Sequence, residues 1–176
     1  IAVGVGVALV MNLYMPSVDK KLLAYQERIE TNFSAILMGI VRYLRDNDHT
    51  WDGKEITETA NLLNQAKSLA FRDVENHFLR EEDLYYHYFK MREKQFEIIE
   101  RILPLVTNIP LVVKQSGIVA DFIEDLAENV HPQNTAILYL KKLEEMEIHF
   151  RGMALPHTRE EFESRAALLQ LMKEME

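Results

Sequence analysis

Apolar residues recur along this chain at intervals of three and four, the spacing that lays one face of an α-helix against a core. Leu22, Tyr25, Ile29, Phe33, Ile36, Ile40 and Tyr43 form a first stripe. It predicts a helix running to about Arg45, with Ser17 or Asp19 able to cap its start. The DNDHTWDGKEI stretch beyond it has the Asp, Asn and Gly content of a turn. Ile56, Ala60, Leu63, Ala70, Val74 and Phe78 make a second stripe, and Tyr85, Tyr88, Phe89, Phe96, Ile99 and Leu103 a third. Residues 54–103 contain neither Gly nor Pro, so this span is either one very long helix or two that meet near 81–83. Pro104 and Pro110 bend or end the run. Further helices are expected over 112–130 and over 135–150, the latter with Leu140, Leu143 and Met146 inward. Thr158-Arg-Glu-Glu161 is a capping-box pattern that starts a last helix. No segment alternates with period two, so the expected fold is all-α, an antiparallel bundle of about four to six helices, two of them long.

The opening segment breaks this pattern. Residues 1–11 carry no polar side chain, and no charge occurs before Pro16. As a helix this stretch would rise about 24 Å, short of the roughly 30 Å hydrocarbon core of a bilayer. Ala2 and Gly6, and again Gly4 and Ala8, have the four-residue spacing that lets membrane helices pack closely. Tyr14 sits where an interfacial aromatic belongs, with Lys20 and Lys21 just beyond, a cytoplasmic-side signature. A signal peptide would need a basic region ahead of the apolar run, and there is none. The expectation is therefore that residues 1–16 are the end of a transmembrane helix cut from a longer chain. Residues 17–176 would then form a domain on the cytoplasmic side of the cell membrane. A short buried core helix is the alternative.

Composition narrows the function classes. With 176 residues, 48% of them hydrophobic, the chain can bury a core. A net charge of -8, and only acidic charges between Gln115 and Leu140 (Asp121, Glu124, Asp125, Glu128), argue against nucleic acid as a partner. The absence of cysteine excludes disulfides, thiol nucleophiles and thiolate metal sites. No nucleophile elbow or glycine-rich phosphate loop is present, so the sequence predicts neither an enzyme nor a bound cofactor.

Three constellations remain as candidate chemistry. Asp73, His77 and Glu81 lie four apart on one helix face and could ligate a metal, the basis of an alternative reading as a metal-dependent bundle enzyme. Glu128 and His131 add one E-x-x-H, but a di-iron bundle needs two such motifs. Asp48, Thr50, Asp52 and Gly53 imitate the start of a calcium loop, yet the position of its bidentate Glu is Thr59. Arg92 is the third: at 100° per residue it falls in the middle of the aromatic face of Tyr85, Tyr88, Phe89 and Phe96. A buried guanidinium needs a carboxylate. Its partner is either an Asp or Glu on a neighbouring helix, or an aromatic carboxylate ligand whose ring stacks among Tyr85, Phe89 and Phe96.

Several longer blocks, MNLYMPSVDKKL, WDGKEI, LAFRDVENHFLREE, YYHYFKMREKQFEIIERILPLV, VHPQNTA and LPHTREEFESRAALLQ, resemble the bacterial family of putative aromatic acid exporters. The likeness is to the helical C-terminal domain together with the end of the preceding membrane region, and it extends over nearly the whole chain. It implies a membrane domain ahead of this one, transport as a property of the complete protein only, and no catalytic residues to place here. A role in assembling subunits as a homo-oligomer, gating a pore or sensing a ligand would follow.

Overall fold

The computed structural model describes residues 18–76, 84–131 and 136–176, the backbone alone over 73–76. They form six helices: α1 Val18–Asp46, α2 Lys54–Asn76, α3 Leu84–Thr107, α4 Lys114–Glu128, α5 Ala136–Arg151 and α6 Arg159–Met175. No strand occurs among the described residues. Residues 1–16, expected at a membrane, lie outside them, and no described helix is long and apolar enough to cross a bilayer.

The Gly- and Pro-free span is two helices folded back on each other. Lys67 Nζ meets Glu93 Oε1 at 2.6 Å, and the Phe71 and Tyr86 rings lie 6.1 Å apart, which sets α2 and α3 antiparallel. Arg28 pairs with Glu58 at 2.7 Å and Tyr25 donates to Gln65 at 3.1 Å, so α1 is antiparallel to α2 and parallel to α3. The first helix is the centre of the bundle, packed against α2, α3 and α4. Three neighbours explain why its buried face is wider than one stripe: Leu37, Val41 and Leu44 are as buried as Ile29, Ile36 and Ile40.

Its C-terminus is closed by Asn47, whose φ of 52° is the left-handed conformation that Asn tolerates, with its N–H bonded to Tyr43 O at 3.0 Å. In the turn beyond, Asp48 Oδ1 accepts from Thr50 N–H at 2.9 Å and Asp52 Oδ1 from Lys54 N–H at 3.3 Å. The oxygens that imitate a calcium loop thus make turn bonds. Gly39 is where the turn docks: a Cβ there would stand 2.6 Å from Trp51 Cδ2, so only glycine lets the indole lie on the helix backbone. Trp51 Nε1 in turn donates to Glu55 Oε2 at 2.8 Å, fixing the ring.

Two local expectations are corrected and one is narrowed. Of the two outcomes open to Pro104, it does not end α3, which continues for most of a turn to Thr107, because a proline this close to a helix end removes one backbone bond and leaves the last turn intact. Leu140 is 44% exposed, and Tyr139 takes the inward place with Leu143 and Met146. Since among the described residues α5 packs only against α4 and α6, its buried stripe is narrow and excludes a residue 100° to one side. At the start of α6, Thr158 Oγ1 accepts from Glu161 N–H at 3.1 Å as expected, but the Glu161 carboxylate accepts from His157 N–H at 2.8 Å rather than from the cap residue.

Candidate ligand site around Arg92

Arg92 is 5% exposed, on the inner face of α3. Its Nε donates to Tyr88 Oη at 3.0 Å, one turn earlier, and Nη1 to Gln95 Oε1 at 2.9 Å. Nη2 donates to the backbone carbonyl of His131, just past the end of α4, at 2.8 Å, and stands 3.5 Å from Glu30 Oε1 of α1. The guanidinium also lies over the rings of Phe33 and Tyr88, 5.6 and 5.2 Å from their centroids. The carboxylate that the sequence demanded is therefore Glu30. Its tightest bond is not to Arg92, however, but to the Tyr88 hydroxyl, at 2.6 Å. Burial, reinforced by the hydrogen bond to Glu30, pushes the Tyr88 phenol well above its ordinary pKa, so it remains a donor.

Beside this network lies a cavity of about 310 Å³, the low end of the range for small-molecule sites. Its walls are mainly apolar, with Leu37 from α1, Ile98, Ile99 and Ile102 from α3, Leu126 from α4 and Leu143 from α5. Three rings face it: Phe33, Phe122 and Tyr139, the last two edge to face at 5.9 Å. Arg92, Gln95, Asn129 and His131 bring polar groups to the wall, as does Glu176, whose carboxylate accepts from Lys173 Nζ at 3.1 Å. Tyr139 is fixed by donating to Asp125 O at 3.0 Å, while Asp125 pairs with Lys142, so α4 and α5 are tied together at the wall.

Of the residues expected at a ligand site, Arg92 lies at the cavity, whereas Tyr85, Phe89 and Phe96 are not among its lining residues. Phe89 is fully buried in the core with Tyr85 stacked on it at 6.3 Å, and Phe96 packs against Phe33 at 6.2 Å. The aromatic part of the α3 stripe fills the core, while Ile99 and Ile102 of the same helix, also buried, reach the void. The rings that do line the void come from α1, α4 and α5, with no shared spacing in the sequence to signal it. The side chains of Asp73, His77 and Glu81 lie outside the described residues. Among the described residues, no group of three or more His, Asp or Glu side chains could hold a metal ion.

The profile of one protein family, the "putative aromatic acid exporter C-terminal domain", matches residues 19–176. The chain belongs to that family. It is 60% identical over all 176 residues to "Uncharacterized protein YqjA" of Bacillus subtilis (strain 168), and spans 55% of that relative's length. Its fold is similar to the crystal structure of a "putative membrane protein" from Clostridium difficile 630, with a TM-score of 0.74 and 22% identity, covering 88% of this chain and 91% of the other. That likeness is one of fold: the helical architecture is shared where little sequence identity remains.

Proposed function

We propose that this chain is the non-enzymatic C-terminal domain of a membrane exporter-like protein, and that it senses a small aromatic carboxylate in the cavity beside Arg92. Membership of the exporter family over 19–176 supports the first part, together with a curated relative nearly twice as long. Residues 1–16 would be the end of the last membrane helix, with Lys20 and Lys21 holding residues 17–176 on the cytoplasmic side. The observation that carries the sensing role is the Arg92 cation at the edge of a mainly apolar, ring-lined void, whose lining also includes the Glu176 side chain, paired with Lys173. Such a site accommodates one anionic group attached to one flat apolar body. Exposed apolar side chains on α5 and α6, among them Ile137, Ile148 and Phe162, offer a surface for a second copy, so that ligand binding could be passed to an oligomer. Neither a cofactor nor nucleic acid enters this reading.

Calorimetric titration of the whole chain with benzoate tests the site. Leu140 lines the cavity while remaining 44% exposed, so Leu140→Trp should fill the void without disturbing the core. Binding to the parent chain that is lost in Leu140→Trp is the expected result. Equal binding to both would place the ligand elsewhere. Flotation of the chain with lipid vesicles, with and without residues 1–16, tests the membrane assignment.

A further inference from the structure

Arg92 stands between an internal carboxylate and the cavity. Three of its N–H groups are held at 2.8 to 3.0 Å by Tyr88, Gln95 and the His131 carbonyl. The contact with its counter-ion, Glu30, is the longest of the four at 3.5 Å. Glu30 keeps a 2.6 Å bond to Tyr88 and 16% side-chain exposure, whereas the Arg92 side chain is 6% exposed. The charge pair is thus the loosest link in a network that otherwise pins the guanidinium against Phe33, on the wall of the cavity.

An anion entering the cavity meets a cation already neutralised by Glu30, while the lining's own carboxylate, Glu176, is paired with Lys173 at 3.1 Å. Two carboxylates close to one buried guanidinium repel each other in a low-dielectric interior. One of them has a route to solvent. We infer that a small monocarboxylate with an apolar, ring-bearing body binds in this cavity by replacing Glu30 as the counter-ion of Arg92, and that the exchange frees Glu30 of α1 from α3. The inference rests on the reading that the cavity takes a ligand, and adds how the ligand is felt. Glu30 is an intramolecular competitor, so it lowers ligand affinity by the same factor by which ligand weakens its own pairing with Arg92. No covalent step is involved. The helix that responds is α1, the element that comes directly after residues 1–16 in the chain, which gives the ligand a mechanical connection toward the proposed membrane segment.

The test is titration of the full chain, parent and Glu30→Gln, with benzoate and with benzamide as its neutral isostere. Glu30→Gln keeps an acceptor for Tyr88 but removes the competing charge. Benzoate should bind the variant about tenfold more tightly than the parent, within the usual range of coupling between sites, while benzamide binds both alike. Should Glu30→Gln fold poorly, Glu30→Asp draws the carboxylate back by one methylene and should move benzoate affinity in the same direction. Benzoate binding to the parent that is unchanged or weakened in these variants overturns the exchange but leaves the cavity as a ligand site. Absence of benzoate binding to parent and variants alike overturns both. A gain for benzamide equal to that for benzoate also overturns the exchange, since the variant would then have merely loosened the site.

Discussion

Replacing Arg92 by methionine removes the charge while keeping much of the volume against Phe33, so it isolates what the guanidinium contributes to folding. The loss can be assembled from its contacts. The His131 carbonyl and Gln95 Oε1 lose charge-assisted bonds of 2.8 and 2.9 Å. Each such bond is worth roughly 1.5 to 3 kcal/mol. Glu30 loses its cation, but it retains the Tyr88 hydroxyl at 2.6 Å and partial exposure, so it is not stranded as a fully buried ion would be. New apolar contact made by the methionine offsets part of the deficit. The sum is a destabilisation of about 3 kcal/mol, the lower end of what breaking a buried pair costs. For a domain of this size it corresponds to a fall in Tm of about 6 to 12 °C. Urea denaturation followed by far-UV circular dichroism measures it, with Glu30→Gln and the double variant closing a cycle whose coupling reports the pair itself. A change for Arg92→Met within about 0.5 kcal/mol would refute the reasoning, because that is the range of exposed surface substitutions. The guanidinium would then reach solvent in solution.

Gly39→Ala should destabilise by about 1 to 3 kcal/mol through overpacking against Trp51, although alanine is the better helix former; if Trp51→Leu in the same chain fails to relieve the loss, the indole is not its cause. Thr158→Ala should cost about 1 kcal/mol in the same denaturation assay by removing the cap of α6. Glu58, Glu124 and Glu147 are held below the usual carboxylate range by hydrogen bonds from Arg28, Arg45 and Lys173, and Glu161 by the His157 N–H. Their contribution is complete above the unfolded-state value near 4.5 and is lost as pH falls through the depressed folded values. Tm should therefore be flat with respect to these groups near neutrality and decline in acid, and Glu124→Gln should soften that decline. Deleting residues 1–16 should leave cooperative thermal unfolding, since the described core is built from Leu22 to Met172; a broad, non-cooperative transition would mean that the segment belongs to the core.

What the sequence by itself determined is what depends on near neighbours in the chain. A three-to-four period is a property of a single helix, so the all-α class, the stripe of α1 and the Thr158 cap were legible without knowing what they face. The misfit of Arg92 was legible for the same reason: a charge on an apolar face is visible from the spacing alone. Its partner was not. Glu30 lies 62 positions away on another helix. The His131 carbonyl that takes one of its donors is a backbone group, which leaves no mark in the residue pattern. The choice between one helix and two over 54–103 was likewise made by tertiary packing, because α2 and α3 bury more apolar surface against each other and α1 than a single extended rod could. Phe89 and Phe96 were identified correctly as inward-facing, but whether an inward ring fills a core or lines a void depends on how the other helices close around it. The cavity is such a residue of packing: it exists where the faces of α1, α3, α4 and α5 and the end of α6 fail to meet, and no local interaction in any of them determines that gap.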